Sequence, residues 1–174
     1  ADIAAGMYAY TNILAALLER GRTGRGRHID VSMLEALTEW TSYPLYYAFD
    51  GAAPPPRTGA AHSTIYPYGP FPTGDGGTVM LGLQNEREWV NFCDVVLQRP
   101  ELATDPRFVG NANRVAERDA LRALIVAAFA LLSTAAVLER LETAKIANAR
   151  VNTMHDVWEH PQLAARGRWR EVGT

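Results

Sequence analysis

The sequence has one cysteine in 174 residues, Cys93, so no internal disulfide can form, and a reducing cytosol is the expected setting. It also lacks any apolar run near the ~20 residues of a membrane span, and no membrane partner is expected. Cations are not in excess: 17 basic residues against 19 acidic ones give a net charge of −2. That balance argues against a nucleic-acid platform, which needs spare cations to neutralise phosphates. There is no P-loop, no G-x-G-x-x-G, no G-x-S-x-G and no H-E-x-x-H. His155 and His160 are five residues apart, a poor helical spacing for a shared metal, and no Cys or carboxylate cluster completes a set. No metal site is expected. What the chain does have is 48% hydrophobic residues, enough for a core in one domain or one and a half small ones.

Ile3, Met7, Tyr10, Leu14 and Leu17 recur at three- and four-residue steps, predicting an amphipathic helix with Asp2 in the N-cap place and Gly21 in the C′ place. No initiator Met precedes Ala1, which opens directly into this periodicity; the expectation is an internal fragment of a longer chain. A Gly/Arg loop, Arg22 to Arg27, follows. His28 to Met33 alternates polar and apolar, predicting a strand, and Leu34 to Phe49 a second helix kinked or broken at Pro44. Residues 50–62 contain Pro54-Pro55-Pro56 flanked by Gly51 and Gly59, too stiff and too poor in apolar side chains for a core, and are read as an interdomain linker.

Beyond the linker, Thr64 to Phe71 and Thr78 to Leu83 are strand-like, joined by the turn signal Thr73-Gly74-Asp75-Gly76-Gly77. Asn85 and Glu88 have capping-box spacing before a helix that buries Trp89, Phe92, Cys93 and Val96. Val115 to Leu132 predicts a long helix, and Ser133 caps another. Short strands are expected at Arg150 to Asn152 and Trp169 to Val172, and short helices over Thr153 to Trp158 and Pro161 to Arg166, with Pro161 at a first helical position.

Two features bear on chemistry. The glycines of the Arg22–Arg27 loop could bring backbone amides to an anion, although a helix end followed by a solvated turn has the same composition. Asp2 reads first as a structural cap, and second as a carboxylate kept ionised and oriented by the helix dipole, which is what a carboxylate nucleophile requires. Gly6, one turn on, removes a side chain from the same face. From these residues alone both readings stay open.

The runs Asp2-Ile3-Ala4-Ala5-Gly6-Met7, Ile13-Leu14-Ala15-Ala16-Leu17 and Arg22-Thr23-Gly24-Arg25-Gly26-Arg27-His28-Ile29-Asp30-Val31-Ser32-Met33 resemble the family III CoA-transferases, a group that also includes acyl-CoA racemases. The resemblance continues through Tyr68-Gly69-Pro70-Phe71, Gly74-Asp75-Gly76, Gly82-Leu83-Gln84-Asn85, Asp105-Pro106-Arg107-Phe108 and Val151-Asn152-Thr153, essentially the whole chain. It implies an α/β fold. Residues 1–49 would be the helix–strand–helix end of a Rossmann-like, CoA-binding large domain, 50–62 the linker, and 63–174 a small α+β domain.

Family members are longer than this chain and form interlocked homodimers. Their catalytic aspartate opens the helix before the T-G-R-G loop in a D-x-x-x-G pattern, so the resemblance implies Asp2 as nucleophile. It implies coenzyme A, carried in as an acyl-CoA, as the group transferred to a small carboxylic acid through an aspartyl-CoA thioester. Met33 takes the place of a residue lining the CoA site. Gly59-Ala60-Ala61-His62 stands where members carry a glycine-rich loop but keeps one glycine of four; His62 there could face a substrate carboxylate. The racemases carry a Glu where this chain has Asn85, which cannot titrate, favouring transfer. The run His62 to Phe71 leans toward short dicarboxylic acids. The alternatives are an acyl-CoA racemase, or a non-catalytic fragment that only folds and self-associates. The fragment by itself is expected to be inactive.

Overall fold

Alanine is the commonest of the first two dozen residues, which form one long helix, α1 (Asp2–Thr23), in a computed structural model that describes residues 1–173. The chain divides into two compact units, Ala1–Pro56 and Arg57–Thr174. It is a mixed α/β protein.

In the first unit α1 runs straight through Gly21 and ends three residues later than its composition suggests. An interior glycine costs only about 1 kcal/mol against alanine and does not stop a helix that is otherwise favourable. Gly24 does stop it: it turns left-handed (φ 70°) and its N–H caps the Arg20 carbonyl at 2.8 Å. Residues 25–32 form neither helix nor strand, and Ser32 at their end is extended. Alternation alone prepares a strand, but a neighbouring strand must accept its backbone bonds, and the described residues of this unit offer none. The expected helix–strand–helix is therefore helix, irregular segment, helix.

Ser32 ends the segment by accepting from the Glu35 N–H (3.3 Å), which starts α2 (Met33–Trp40). A break at Thr41 separates α3 (Ser42–Tyr47), and Phe49–Gly51 closes as a 3₁₀ turn. The break falls three residues before Pro44, not at it. In a continuous helix the proline ring would strike the carbonyl four residues back, whereas in the first turn of a new helix its missing N–H is no loss. Tyr8 of α1 donates to Glu39 Oε2 of α2 (2.7 Å), and Ala4 and Ala36 are buried. The large apolar residues of both helices, Ile3, Met7, Tyr10, Leu34 and Trp40 among them, stay exposed.

The second unit is built on an antiparallel sheet in the order β1 (Tyr68–Pro72), β2 (Thr78–Gly82), β3 (Ala147–Arg150). Phe71 lies opposite Val79 and Gly69 opposite Leu81, and all four are buried. Gly69 has no side chain for a reason: a Cβ there would sit 2.8 Å from that of Ala61. Helices α4 (Glu86–Asn91), α5 (Asn111–Ala116), α6 (Arg118–Phe129) and α7 (Thr134–Thr143) follow, and α6 and α7 pack on the sheet. Trp89, Phe92, Phe108, Leu121, Ile125, Phe129, Val137 and Leu141 fill the core. The single long helix expected over Val115 to Leu132 is broken at Glu117, and the helix after Asn85 passes into a π turn, Phe92–Val96.

Short helices α8 (Met154–Trp158) and α9 (Pro161–Ala165) end the described chain. The third strand lies upstream of the expected Arg150–Asn152 because its register is set by β2, Ala147 opposite Gly82 and Arg150 opposite Val79. Trp169 to Val172 form no strand; Trp169 instead donates from Nε1 to the Trp158 carbonyl (3.0 Å). Among the described residues no single helix is long and apolar enough to cross a membrane.

Candidate functional site

Asp2 occupies the first helical position of α1, not the cap. Ala1 is the cap residue, and its carbonyl accepts from the Ala5 N–H at 3.0 Å. A side-chain cap must come from the extended residue before the helix, and Ala1 has no acceptor to offer. The Asp2 carboxylate is thus exposed, without a hydrogen bond or ion pair among the described residues, at the positive end of a 22-residue helix. Both oxygens are available to an electrophile at the end of the helix where its free N–H groups point. One turn on, a Cβ built on Gly6 would meet nothing within 4 Å, leaving bare backbone beside the carboxylate.

Met33 is the first residue of α2 and 48% exposed, not the last of a strand. Tyr8 meets Glu39 while Asn12 lines a cleft with Asp30, Val31 and Ser32, so α2 runs back along α1. Met33 therefore starts about ten residues along α1 from Asp2, roughly 15 Å at the helical rise. The structure does not bring the two together. The Gly/Arg loop between them is exposed, and Arg27 is ion-paired with Glu19.

His62 and Asn85 belong to the second unit. The His62 ring accepts at Nδ1 from the N–H groups of Thr64 (3.2 Å) and Ile65 (3.1 Å), which puts the proton of the neutral ring on Nε2. Its centroid lies 5.2 Å from that of Tyr68, and the Tyr68 ring in turn covers Gly82, where a Cβ would approach it to 3.0 Å. Asn85 is the N-cap of α4: Oδ1 accepts from Glu88 N–H (3.0 Å) and Nδ2 donates to Glu88 Oε1 (2.8 Å). Glu88 reaches back to the Gln84 N–H at 2.8 Å, one residue earlier than a standard capping box. Both ends of the Asn85 amide are engaged in that cap.

Arg114, Arg118 and Arg122 were not singled out by motif or composition, although they recur at four-residue steps, Arg114 in α5 and the other two in α6. Arg114, 2% exposed, donates to the carbonyls of Tyr66 (2.9 Å) and Phe108 (3.0 Å) and forms a fork with both Glu86 oxygens (2.8 and 2.9 Å). Those bonds hold the Glu86 carboxyl below its usual range. Among the described residues, no group of three His, Cys, Asp or Glu could hold a metal ion. His160 acts as a cap, its Nδ1 accepting from the Gln162 N–H at 3.2 Å.

The sequence profile described as CoA-transferase family III matches residues 1–174. The chain belongs to CoA-transferase family III. It is 33% identical over 165 residues to the acetyl-CoA:oxalate CoA-transferase of Acetobacter aceti, covering 95% of this chain and 42% of that protein. To the succinyl-CoA:glutarate CoA-transferase of Mus musculus it is 34% identical over 171 residues, covering 98% of this chain and 39% of that protein. Among solved structures, a CAIB/BAIF family protein from Brucella suis superposes with a TM-score of 0.76 at 32% identity, over 94% of this chain and 43% of that one. The chain thus spans about two fifths of the length of the family members it matches.

Proposed function

We propose that this chain is part of an enzyme that moves coenzyme A from an acyl-CoA to a small carboxylic acid, with Asp2 as the nucleophile. The observation that carries the proposal is an exposed carboxylate with no hydrogen-bond partner among the described residues, in the first turn of a long helix and one turn before a bare glycine, in a chain that belongs to this family along its whole length. Covalent catalysis suits the task because it conserves the thioester energy that hydrolysis would discard.

In the proposed sequence an Asp2 oxygen attacks the acyl carbonyl, the C–S bond breaks, and CoA thiolate leaves from a mixed anhydride. The thiolate then attacks the aspartyl carbonyl, the anhydride C–O bond breaks, and the donor acid departs as its carboxylate. The acceptor carboxylate runs the two steps in reverse. Every step exchanges one anion for another, so no net proton transfer is needed, and Asn85, engaged as a cap, needs no acid–base role. Oxalate and glutarate in the relatives' names support short dicarboxylic acids as acceptors. Met33 and the exposed Arg22 and Arg25 offer apolar and cationic contacts for coenzyme A, and His62 is assigned to the substrate-carboxylate side of the reaction. The proposal includes a homodimer as the working form and negligible turnover by the 174-residue chain alone.

The test is Asp2→Asn in the longer protein that carries this chain. Asp2 caps nothing, so the fold should survive while transfer is abolished. Hydroxylamine added after acyl-CoA should leave a hydroxamate on Asp2. Retained transfer in Asp2→Asn, or a hydroxamate on another residue, would remove Asp2 from the mechanism.

A further inference from the structure

Of the three arginines at four-residue steps, Arg114 is fully committed to the core, but Arg118 and Arg122 are not. Arg118 donates only through Nη2, to the carbonyls of His62 (3.1 Å) and Ser63 (3.0 Å). Arg122 donates only through Nη1, to the Pro70 carbonyl at 3.3 Å. A guanidinium carries five N–H donors. Among the described residues, Nε and Nη1 of Arg118 and Nε and Nη2 of Arg122 are therefore without partners. Among the described residues Arg57 makes no hydrogen bond, and none of the three is ion-paired with a carboxylate, Asp119 beside Arg118 included.

These three arginines, with Thr58 and Tyr66, wall a cleft of about 410 Å³ that lies wholly within the second unit. Tyr66 is 2% exposed, and its hydroxyl, with the Arg122 guanidinium beside it, makes no well-aligned hydrogen bond among the described residues. A buried hydroxyl is costly to leave unpaired, and such a group calls for a ligand or water at its side. Burial raises the Tyr66 pKa, with Arg122 and Arg118 opposing, so the hydroxyl is a donor at neutral pH. Arg118 stacks over the same ring, Cζ lying 5.0 Å from its centroid. Unpaired cations and an unpaired buried donor thus converge on one hollow, and all of them favour negative oxygen.

We propose that this cleft is an anion site: it takes a small oxyanion, a carboxylate or a phosphate group, on the free N–H groups of Arg118 and Arg122, with Arg57 at its exposed edge and the Tyr66 hydroxyl at its buried wall. Guanidinium groups match the planar forks of both anions. The site is built from residues of the second unit alone.

The test titrates the chain with inorganic phosphate and, separately, with succinate, at ionic strength held constant with chloride so that screening is not mistaken for binding. The arginine Nε–Hε resonances are followed by NMR. Saturable shifts at Arg118 and Arg122 are expected. Tighter binding of phosphate identifies a phosphate-bearing ligand, and tighter binding of succinate a carboxylate-bearing one. The double variant Arg57→Gln/Arg122→Gln, which breaks one long bond to the fold, should weaken binding about tenfold or more, as expected for losing charge-assisted contacts. Tyr66→Phe should weaken it several-fold without lowering the unfolding midpoint, a combination that a purely structural tyrosine would not produce. Shifts that fail to saturate or that chloride reproduces would overturn the proposal. So would unchanged affinity in the double variant or in Tyr66→Phe.

Discussion

Replacing Arg114 by methionine tests whether the second unit is organised around one buried guanidinium. The side chain makes four hydrogen bonds between 2.8 and 3.0 Å, and its Cζ lies 4.9 Å from the Trp89 ring centroid. Without it, the buried carbonyls of Tyr66 and Phe108 lose a donor, at roughly 1–3 kcal/mol each. The Glu86 side chain is 58% exposed and rehydrates, so its release is worth no more than about 1 kcal/mol. Methionine refills the space over Trp89 and removes the cost of burying a charge, which offsets part of the loss. The net expectation is a destabilisation of about 3 kcal/mol. In urea, followed by far-ultraviolet circular dichroism, that is a midpoint lowered by roughly 1–2 M with the slope unchanged.

Glu86→Gln leaves both carbonyl bonds in place and should cost about half as much or less. The pair also has an acid signature. Its hydrogen bonds from Arg114 hold the Glu86 carboxyl below the usual 4.5, so the stabilisation is complete above that value and is lost as pH falls through the lowered one. This part of the acid limb should disappear in Arg114→Met. A variant within about 0.5 kcal/mol of the parent, the range of an ordinary surface change, would refute the reasoning.

Three further outcomes are expected. Cys93 is fully buried, and burial pushes its thiol up to about 12, so thiol reagents should modify it only at the rate of unfolding; rapid labelling of the folded chain would contradict its place in the core. Asp75 accepts from the hydroxyls of Thr73 (2.7 Å) and Thr134 (2.8 Å) and from the Thr134 N–H (2.9 Å), which hold its carboxyl far below the usual 3.8. Its contribution is present above that value and lost as pH falls through the lowered one, so Asp75→Asn should lower the melting temperature at pH 7 and flatten the acid limb; an unchanged melting curve would count against the tie between hairpin and α7. Trp40, Tyr46 and Phe49 are exposed on and beside α2 and α3, and the isolated chain should self-associate through residues 34–49; sedimentation as a clean monomer at tens of micromolar, roughly where modest interfaces assemble, would contradict this.

What the sequence determined by itself is whatever closes within a few residues. Asn85, Ser133 and Pro161 mark helix starts because a cap is satisfied by an N–H two or three positions on, or needs no N–H at all. Thr73 to Gly77 reverses the chain between β1 and β2, closed by the Thr73 N–H on the Gly77 carbonyl (3.0 Å). The family was legible for the same reason, since its motifs are continuous runs. Only the tertiary structure decided the rest. His28 to Met33 alternates like a strand and is none, because ladder bonds come from a partner that local sequence cannot summon. The long helix expected near residue 120 breaks at Glu117, so that α5 and α6 start separately. Asp2 looked like a cap but lies inside the helix, a difference of one residue that frees its carboxylate. Arg114 and Arg118 have the same charge and neighbouring turns. One is buried among carbonyls and a carboxylate while the other keeps donors free at a cleft, because burial depends on residues 28 to 56 positions away in the chain.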